Sequence, residues 1–317
     1  MQDYDARFKN LAEEAPFEHS PVMPTMLAGD TELKFRCHRG VKCWNACCSN
    51  IDITLTPYDI LRLKNRLGLS SGEFLQKYTV PYEIDKDGTP GVKLRCVDGG
   101  TACQFMVPEG CSVYEDRPTA CRYYPVALLS VRRSDEYTDR LSFALVEEKT
   151  CFGHQEPDRQ TIDEYRAAQG AVEYDEKGRG WRQLILKKKS AGPAVGKPPA
   201  LSNQLFFMVS YDIDRFRAFV ISEAFNKTYD IPVEHMAELV ADDEKLLEFG
   251  NAFLRHVLFN EKSLPEREGA YEQRIDRLKT KAEAVRAEFL ANRDRIEDEK
   301  YCAPPGQPGD CGCGGND

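Results

Sequence analysis

The distribution of cysteine constrains this chain more than any other feature. The 317-residue sequence contains 12 cysteines, of which nine lie between Cys37 and Cys151 and three in the last sixteen residues. Residues 1–10 form neither a basic leader nor an apolar run, and no stretch of 18 apolar residues follows. We therefore expect a cytosolic protein that does not enter a membrane, with thiols that bind metal or act in redox chemistry rather than forming disulfides.

The composition of the chain limits the classes of molecule that it can bind. Hydrophobic residues make up 41% of the chain and charged residues 30%, which suffices for a folded core and excludes wholesale disorder. The formal net charge of −9 disfavours a surface that follows nucleic-acid phosphates. We expect a metal ion as partner and no nucleic acid.

The spacing of the front thiols predicts metal ligands. Cys43, Cys47 and Cys48 form a local nucleus, which lowers the entropy cost of closing a site. Because adjacent side chains diverge, Cys47 and Cys48 should serve separate metal sites, separate irons of a cluster, or one site and one packed position. The predicted ligands are Cys37, Cys43, Cys47, Cys48, Cys103, Cys111, Cys121 and Cys151.

One further cysteine, two histidines and two arginines lie near the predicted ligands, and none of them is predicted to bind the metal directly. Cys96 lies on the apolar face of a predicted strand, so a packed structural thiol is favoured. His38 and His154 are expected to be ordinary surface imidazoles. Arg117 and Arg122 bracket a thiolate position and are the predicted cofactor-binding residues, as cations that offset thiolate charge; pairing with surface carboxylates is the alternative.

The cysteine pattern lacks paired C-x2-C knuckles, the ferredoxin run and the thioredoxin motif. Phosphate-loop, dinucleotide, zinc-protease and serine-hydrolase signatures are also missing, so no cosubstrate site can be identified. All-sulfur ligation suits zinc and iron–sulfur centres alike, and the surplus of thiols favours a multinuclear centre.

These residues resemble a known family. The pattern is similar to bacterial YkgJ-type cysteine-cluster proteins, with flagellin lysine methylases as distant relatives. The resemblance implies a zinc- or iron-chelating domain over roughly residues 30 to 155 and supplies no reaction. This chain has one extra residue between Cys43 and Cys47, and Cys96 has no match in the pattern. The residues that carry the resemblance are Phe35-Arg36-Cys37, Cys43-x3-Cys47-Cys48, residues 53–60, residues 103–105 and residues 111–125.

The predicted fold class is α+β. A mixed, cysteine-rich metal-binding region precedes a mainly helical C-terminal half and a disordered Cys/Gly tail. Thr56-Pro57 and Ser70-x-x-Glu73 predict two helix starts, and Gly68 the end of the first helix. Residues 126–131 and 141–146 are predicted strands. In the second half, apolar residues predict one helix that begins at Ser202 and extends past Phe216, and another over residues 233–259. The predicted divisions are an N-terminal extension (1–29), a cysteine-cluster domain (30–186), a linker (187–201), a helical region (202–300) and a flexible tail (301–317).

A heptad pattern over residues 271–296, with Asn292 at one core position, predicts a long final helix. Packing on the preceding helices is the favoured interpretation, with a homodimer or another protein partner as the alternative. The tail cysteines Cys302, Cys311 and Cys313 could deliver metal or oxidise reversibly, although incidental metal affinity is favoured.

Three functions follow in order of preference. The first is a cytosolic metal-binding module that holds zinc or an iron–sulfur centre. The second is a metal-dependent enzyme, either a redox protein or a protein lysine methylase. The third is a thiol-redox or metal-delivery protein that uses the tail. Whether the chain is an enzyme is left open by the sequence.

Overall fold

Two predicted helix starts are confirmed in the computed structural model, which describes residues 26–131, 140–148, 151–190 and 200–301. Helix α1 (Pro57–Leu67) begins after Thr56, whose side chain accepts a hydrogen bond from the Asp59 amide. Helix α2 (Ser71–Tyr78) begins with the same reciprocal capping box, here between Ser70 and Glu73. Gly68 ends α1 at φ 66°, a conformation that favours glycine.

The predicted α+β class is confirmed, with small sheets in the first half and helices in the second. The strands are β1 (Glu32–Lys34), β2 (Thr54–Leu55), β3 (Thr79–Glu83), β4 (Pro90–Leu94), β5 (Met106–Val107), β6 (Gly110–Cys111), β7 (Val126–Val131), β8 (Arg140–Leu145) and β9 (Arg159–Thr161). The remaining helices are α3 (Thr119–Tyr123), α4 (Ile162–Ala168), α5 (Ala171–Ser190), α6 (Ala200–Tyr211), α7 (Ile213–Val220), α8 (Glu223–Thr228), α9 (Val233–Ala241), α10 (Asp243–Phe259) and α11 (Ala270–Tyr301).

The strands pair antiparallel in four small sheets: β1 with β9, β2-β4-β3, β5 with β6, and β7 with β8. In the β5–β6 hairpin, Met106 pairs with Cys111 and Val107 pairs with Gly110. Such short sheets cannot form a core alone, so their apolar faces pack on helices. One buried cluster lies beneath β1, the β7–β8 hairpin, α3 and α4, and Cys151 packs against its edge. Its buried members are Leu33, Phe35, Tyr123, Val126, Phe143, Ile162, Tyr165 and Ala171.

A second packed region is helical. Helix α1 packs against α5, α6 and α10. Two predicted long helices are each divided at an aspartate that caps the next helix. Asp212 accepts a hydrogen bond from the Arg215 amide at the start of α7, and Asp242 accepts from the Glu244 and Lys245 amides at the start of α10. The single helix expected over 233–259 is therefore two helices, α9 and α10.

The chain divides into two compact units: residues 1–222 with 231–264, and residues 223–230 with 265–317, each considered over its described part. The first unit contains the cysteines from Cys37 to Cys151 and also α6, α7, α9 and α10. Helix α5 extends to Ser190, into the predicted linker, whose residues 191–199 lie outside the described ranges. The predicted division into a cysteine-cluster domain (30–186) and a helical region (202–300) remains a prediction. The predicted extension lies almost entirely, and the predicted tail after Tyr301 entirely, outside the described residues.

In the second unit, the segment before α11 joins the end of α8, because the Arg267 amide donates to the Thr228 carbonyl at 2.9 Å. Helix α11 carries the predicted heptad seam. Val285 is 57% exposed and Phe289 67%, and packing of the seam on the preceding helices stays a prediction. The side chains of Asn292 and Ile296 are outside the described part. The partner alternative for residues 271–296 stays a prediction.

Among the helices of the described residues, none is long and apolar enough to cross a bilayer.

One buried carboxylate joins the helical region to a cysteine-bearing helix. Asp59 is fully buried in α1, and its Oδ2 accepts the Thr56 amide at 2.8 Å to complete the capping box. Its Oδ1 accepts both the amide and the hydroxyl of Thr119, each at 2.7 Å. Thr119 is the first residue of α3, which carries Cys121. Asp59 therefore fixes the starts of two helices that lie 60 residues apart in sequence.

We predict that Asp59→Ala lowers the free energy of unfolding by about 3 kcal/mol, because several buried donors lose their acceptor. Glu73→Ala is the matched control, since Glu73 holds the same position in an exposed capping box that caps only α2. Denaturant unfolding of both variants measures the difference. Equal decreases in the free energy of unfolding would mean that the hydrogen bonds between Asp59 and Thr119 add no stability.

Candidate metal centre

The loop that carries three of the cysteines is a run of tight turns. The Ala46 amide donates to the Cys43 carbonyl at 2.9 Å and the Cys48 amide to the Asn45 carbonyl at 3.0 Å. Asn45 adopts φ 65°, and its side-chain amide donates to the Val107 carbonyl at 3.0 Å. Asparagine tolerates this conformation better than most residues. The loop is thereby held to the β5–β6 hairpin, which carries Cys111.

Four thiols lie together on the more buried side of this loop, and we name them the inner group. The Cys103 amide donates to the Cys48 carbonyl at 2.8 Å, which places these two residues side by side. Cys121 on α3 is close enough to Cys103 and Cys111 for their charges to interact. The inner group is Cys48, Cys103, Cys111 and Cys121.

Three further thiols surround Cys37 and form what we name the outer group. Burial raises the pKa of Cys37 to about 11, and the charges of Cys47, Cys43 and Cys151 add to this increase. The Phe152 amide donates to Cys43 Sγ at 3.2 Å, which brings Cys43 next to Cys151. The outer group is Cys37, Cys43, Cys47 and Cys151.

Cys47 and Cys48 connect the groups, with their sulfur atoms 4.0 Å apart. The hydrogen bond from Cys48 lowers the pKa of Cys47 to about 7, and the same bond, together with burial, raises the pKa of Cys48. Cys48 interacts with Cys103 and Cys121, whereas Cys47 interacts with Cys37 and also with Cys111 and Cys121. Cys47 thus borders both groups, and Cys48 reaches the outer group through Cys47.

Burial raises the pKa of the Cys103 and Cys111 thiols, and nearby amides and one cation partly offset this effect. The Phe105 amide donates to Cys103 Sγ at 3.4 Å, and the Val113 amide and the Arg117 charge lower the pKa of Cys111 against the larger effect of burial. N–H donors aimed at sulfur stabilise a thiolate ligand, as they do around metal centres. The donor set is all sulfur, so the residues fit zinc or an iron–sulfur centre. Within the described ranges, however, no three His, Cys, Asp or Glu side chains are already closed around one metal position.

Cys96 lies beside the inner group. It forms an isolated bridge with Cys103, and its sulfur contacts the Ile51 carbonyl at 3.9 Å. The residue is half-buried, and its own carbonyl accepts the Gln104 side chain at 3.2 Å. A packed thiol that supports the Cys103 segment remains the interpretation.

Arg117 and Arg122 donate hydrogen bonds to backbone carbonyls. Arg122 is buried; it donates to the Gln169 carbonyl at 2.8 Å and to the Tyr174 hydroxyl at 3.0 Å. Arg117, also buried, donates to the Tyr114 carbonyl at 2.7 Å, and its charge also reaches Cys111. The Arg117 charge thus acts on one thiol, the described hydrogen bonds of Arg122 join neighbouring segments, and the cofactor-binding role of both arginines stays a prediction.

Both histidines near cysteines have other contacts. His38 Nε2 lies 3.3 Å from a Glu156 carboxylate oxygen, and its Nδ1 accepts the Gly40 amide at 3.1 Å. His154 contacts the Val146 carbonyl at 3.2 Å, with its ring against Phe35. That both are ordinary imidazoles rather than ligands stays a prediction.

Sequence reasoning missed two residues that border the outer group. The Tyr124 hydroxyl lies within hydrogen-bonding reach of Cys151 and donates to Glu148 Oε2 at 2.9 Å. Tyr124 lies within residues 111–125 but was given no role, and Glu148 lies outside any cysteine motif; the pairing of the residues after α3 with the end of β8 brings the two together. The sequence predicted the helix start at Thr56, but it did not predict that Asp59 accepts hydrogen bonds from Thr119.

One comparison matches the cysteine-bearing part of the chain. Residues 36–152 match the CxxCxxCC family, described as "Putative zinc- or iron-chelating domain". The match is consistent with the predicted YkgJ-type resemblance, and the matched segment includes every cysteine of both groups. No curated protein and no solved structure shows a significant match to the chain.

Gly110 sets the distance between the cysteine loop and the hairpin. It adopts φ 135°, and a Cβ at this position would lie 3.1 Å from Cζ2 of Trp44. An alanine here would be strained and would push on the loop next to Cys43 and Cys111.

We predict that Gly110→Ala destabilises the protein by about 1–3 kcal/mol and weakens metal retention by the inner group. Gly99→Ala is the matched control, because Gly99 also has positive φ, at 72°, but its Cβ would have no neighbour within 4 Å. Unfolding curves and metal content after dialysis measure both effects. A Gly99 variant that loses as much metal would contradict the prediction.

Proposed function

We propose that this chain is a cysteine-cluster metal-binding protein in which eight thiolates form two four-sulfur sites. The matched domain supports metal binding by the cysteines. The observation that supports two sites is the division of the thiols into an inner and an outer group, joined at Cys47 and Cys48.

The roles of the chain's own residues follow from charge. Burial raises the pKa of Cys103, Cys121 and Cys151, and the charges of neighbouring thiols raise it further. Bound zinc or iron supplies the positive charge that lets the thiols release their protons and remain close. The Phe105 and Phe152 amides orient two of the sulfurs, and Asp59 positions the helix with Cys121.

Neither spacing nor geometry separates zinc from an iron–sulfur centre, because both accept all-sulfur ligation. Oxygen-free purification followed by elemental analysis and visible absorption identifies the metal. The proposal requires two equivalents of zinc, or iron with matching acid-labile sulfide in thiolate-bound centres. A monomer with neither metal and with freely titratable front thiols would overturn it.

We predict that replacing one cysteine of a group removes the metal centre of that group and leaves the other centre in place. Cys37→Ser should reduce the metal content by the share of the outer group, and Cys121→Ser by that of the inner group. Cys96→Ser is the control, since Cys96 belongs to neither group, and it should keep full metal content. Elemental analysis of the three variants after gel filtration tests the assignment. Unchanged metal in Cys37→Ser and Cys121→Ser would refute it.

Metal removal should destabilise the first unit. A ligand that binds only the folded state at 100 times its dissociation constant adds about 2.7 kcal/mol at 25 °C. We therefore expect chelation to lower the melting temperature and metal addition to restore it, as followed by circular dichroism. A melting temperature that chelation leaves unchanged would mean that the metal does not stabilise the fold.

The enzyme and delivery alternatives remain secondary proposals. Delivery depends on Cys311 and Cys313, which lie outside the described residues. Deletion of residues 302–317 tests it by metal transfer to an acceptor, and binding of S-adenosylmethionine by metal-loaded protein tests a methylase.

A further inference from the structure

We propose that the seam of α11 binds an acidic amphipathic helix of another protein. The seam is the row of heptad core positions along α11, and the e and g positions beside it are its flanks. The proposal goes beyond metal binding and does not depend on the two cysteine groups. The seam positions are Tyr271, Ile275, Leu278, Ala282, Val285, Phe289, Asn292 and Ile296.

The middle of α11 is exposed. The helix has 32 residues and is therefore about 48 Å long. Its first residue, Ala270, is buried, and the helix contacts α8, which has six residues. Every residue from 282 to 290 is exposed, including Val285 at 57% and Phe289 at 67%. The described part of the chain therefore leaves this stretch of the seam uncovered.

The apolar stripe of α11 is narrow. Its members follow one another at steps of four and three residues, which is the spacing of a coiled-coil seam. A helix that lies on a membrane surface carries a broad face of large apolar side chains. Here the small Ala282 and the polar Asn292 interrupt the stripe. The pattern therefore fits one partner helix better than a lipid surface.

Charge on α11 differs between the flanks and the far side of the helix. Six of the eight flank positions are basic, whereas three of the four charged residues at the far-side positions b, c and f are acidic. The flank positions hold Glu272, Arg274, Lys279, Lys281, Arg286, Glu288, Arg293 and Arg295. The charged far-side positions hold Asp276, Arg277, Glu283 and Asp294.

The flank charges distinguish between partners, because residues at these positions form ion pairs across a helix pair. A second copy of the chain would bring like charges together. With the core positions aligned, Lys281 would face Arg286 in a parallel pair, and Lys279 would face Arg286 in an antiparallel pair. A helix with glutamate or aspartate in its flanks would instead present charges of opposite sign. Charge complementarity therefore favours an acidic helix over a second copy.

The binding test uses the full chain in reducing buffer and two synthetic peptides of four heptads each. Both peptides have isoleucine and leucine at the core positions; the acidic peptide has glutamate at every flank position, and the basic peptide has lysine there. We expect the acidic peptide to bind at least about tenfold more tightly, and added salt to reduce the difference. Fluorescence anisotropy measures the affinities. Equal affinities, or no binding of the acidic peptide, would overturn the proposal.

The double variant Val285→Gln, Phe289→Gln should weaken binding of the acidic peptide at least about tenfold, because the seam loses two apolar side chains. The matched control Ala284→Gln, Ala287→Gln changes exposed residues on the far side and should bind as the parent does. The same loss of affinity in both double variants would contradict binding at the seam.

A second pair of variants tests the charges. Lys279→Gln, Arg286→Gln should reduce the preference for the acidic peptide over the basic one. Lys86→Gln, Arg179→Gln removes the same charge from exposed residues outside α11 and should keep the preference. An unchanged preference in the first double variant would mean that the flanks do not select the partner.

Two further measurements test the other occupants of the seam. Analytical ultracentrifugation follows self-association of the full chain, and co-sedimentation follows its binding to vesicles of phosphatidylglycerol and phosphatidylcholine. A dimer that Val285→Gln, Phe289→Gln dissociates would assign the seam to a second copy. Vesicle binding that the same double variant abolishes would assign it to a lipid surface, and either result would overturn the proposal.

Discussion

Repulsion among crowded thiolates is the constraint on which the first half of this protein depends. Burial makes deprotonation of a thiol less favourable, and each sulfur that approaches another adds to that effect, as the raised pKa of Cys37 shows. Apolar packing alone would not favour eight ionisable groups around one loop, because each could be replaced by a small hydrophobe at lower electrostatic cost. The arrangement is stable only with positive charge between the sulfurs or with protons left on most of them.

The scaffold around the thiols consists of short elements tied by polar contacts. Sheets of two or three short strands bury little area, so the cysteine segments depend on hydrogen bonds such as Asn45 to Val107 and Asp59 to Thr119. Both contacts join segments that are about 60 residues apart in sequence. The helices after Ser190 also contribute, since α1 packs on α6 and α10.

Local sequence signals predicted local structure well. The caps at Thr56 and Ser70, the end at Gly68 and the β7–β8 strands follow from residue type and periodicity, and the structure has them. The breaks at Asp212 and Asp242 were missed because apolar periodicity continues across each aspartate. Spacing identified the thiols but not their partners, because the grouping of Cys48 with Cys103 depends on a backbone contact between distant segments. A heptad pattern shows which face of a helix is apolar but not what covers that face, so it could not predict the exposure of Phe289.

The adjacency of Cys47 and Cys48 has a thermodynamic consequence. One peptide unit separates the two sulfurs, and a residue pair has few soft torsions with which to orient them independently. Under the two-site arrangement, the first ion to arrive freezes those torsions, and the second then loses less conformational entropy on binding. Occupancy should therefore rise cooperatively, and by linkage each ion should increase the affinity for the other to the same degree.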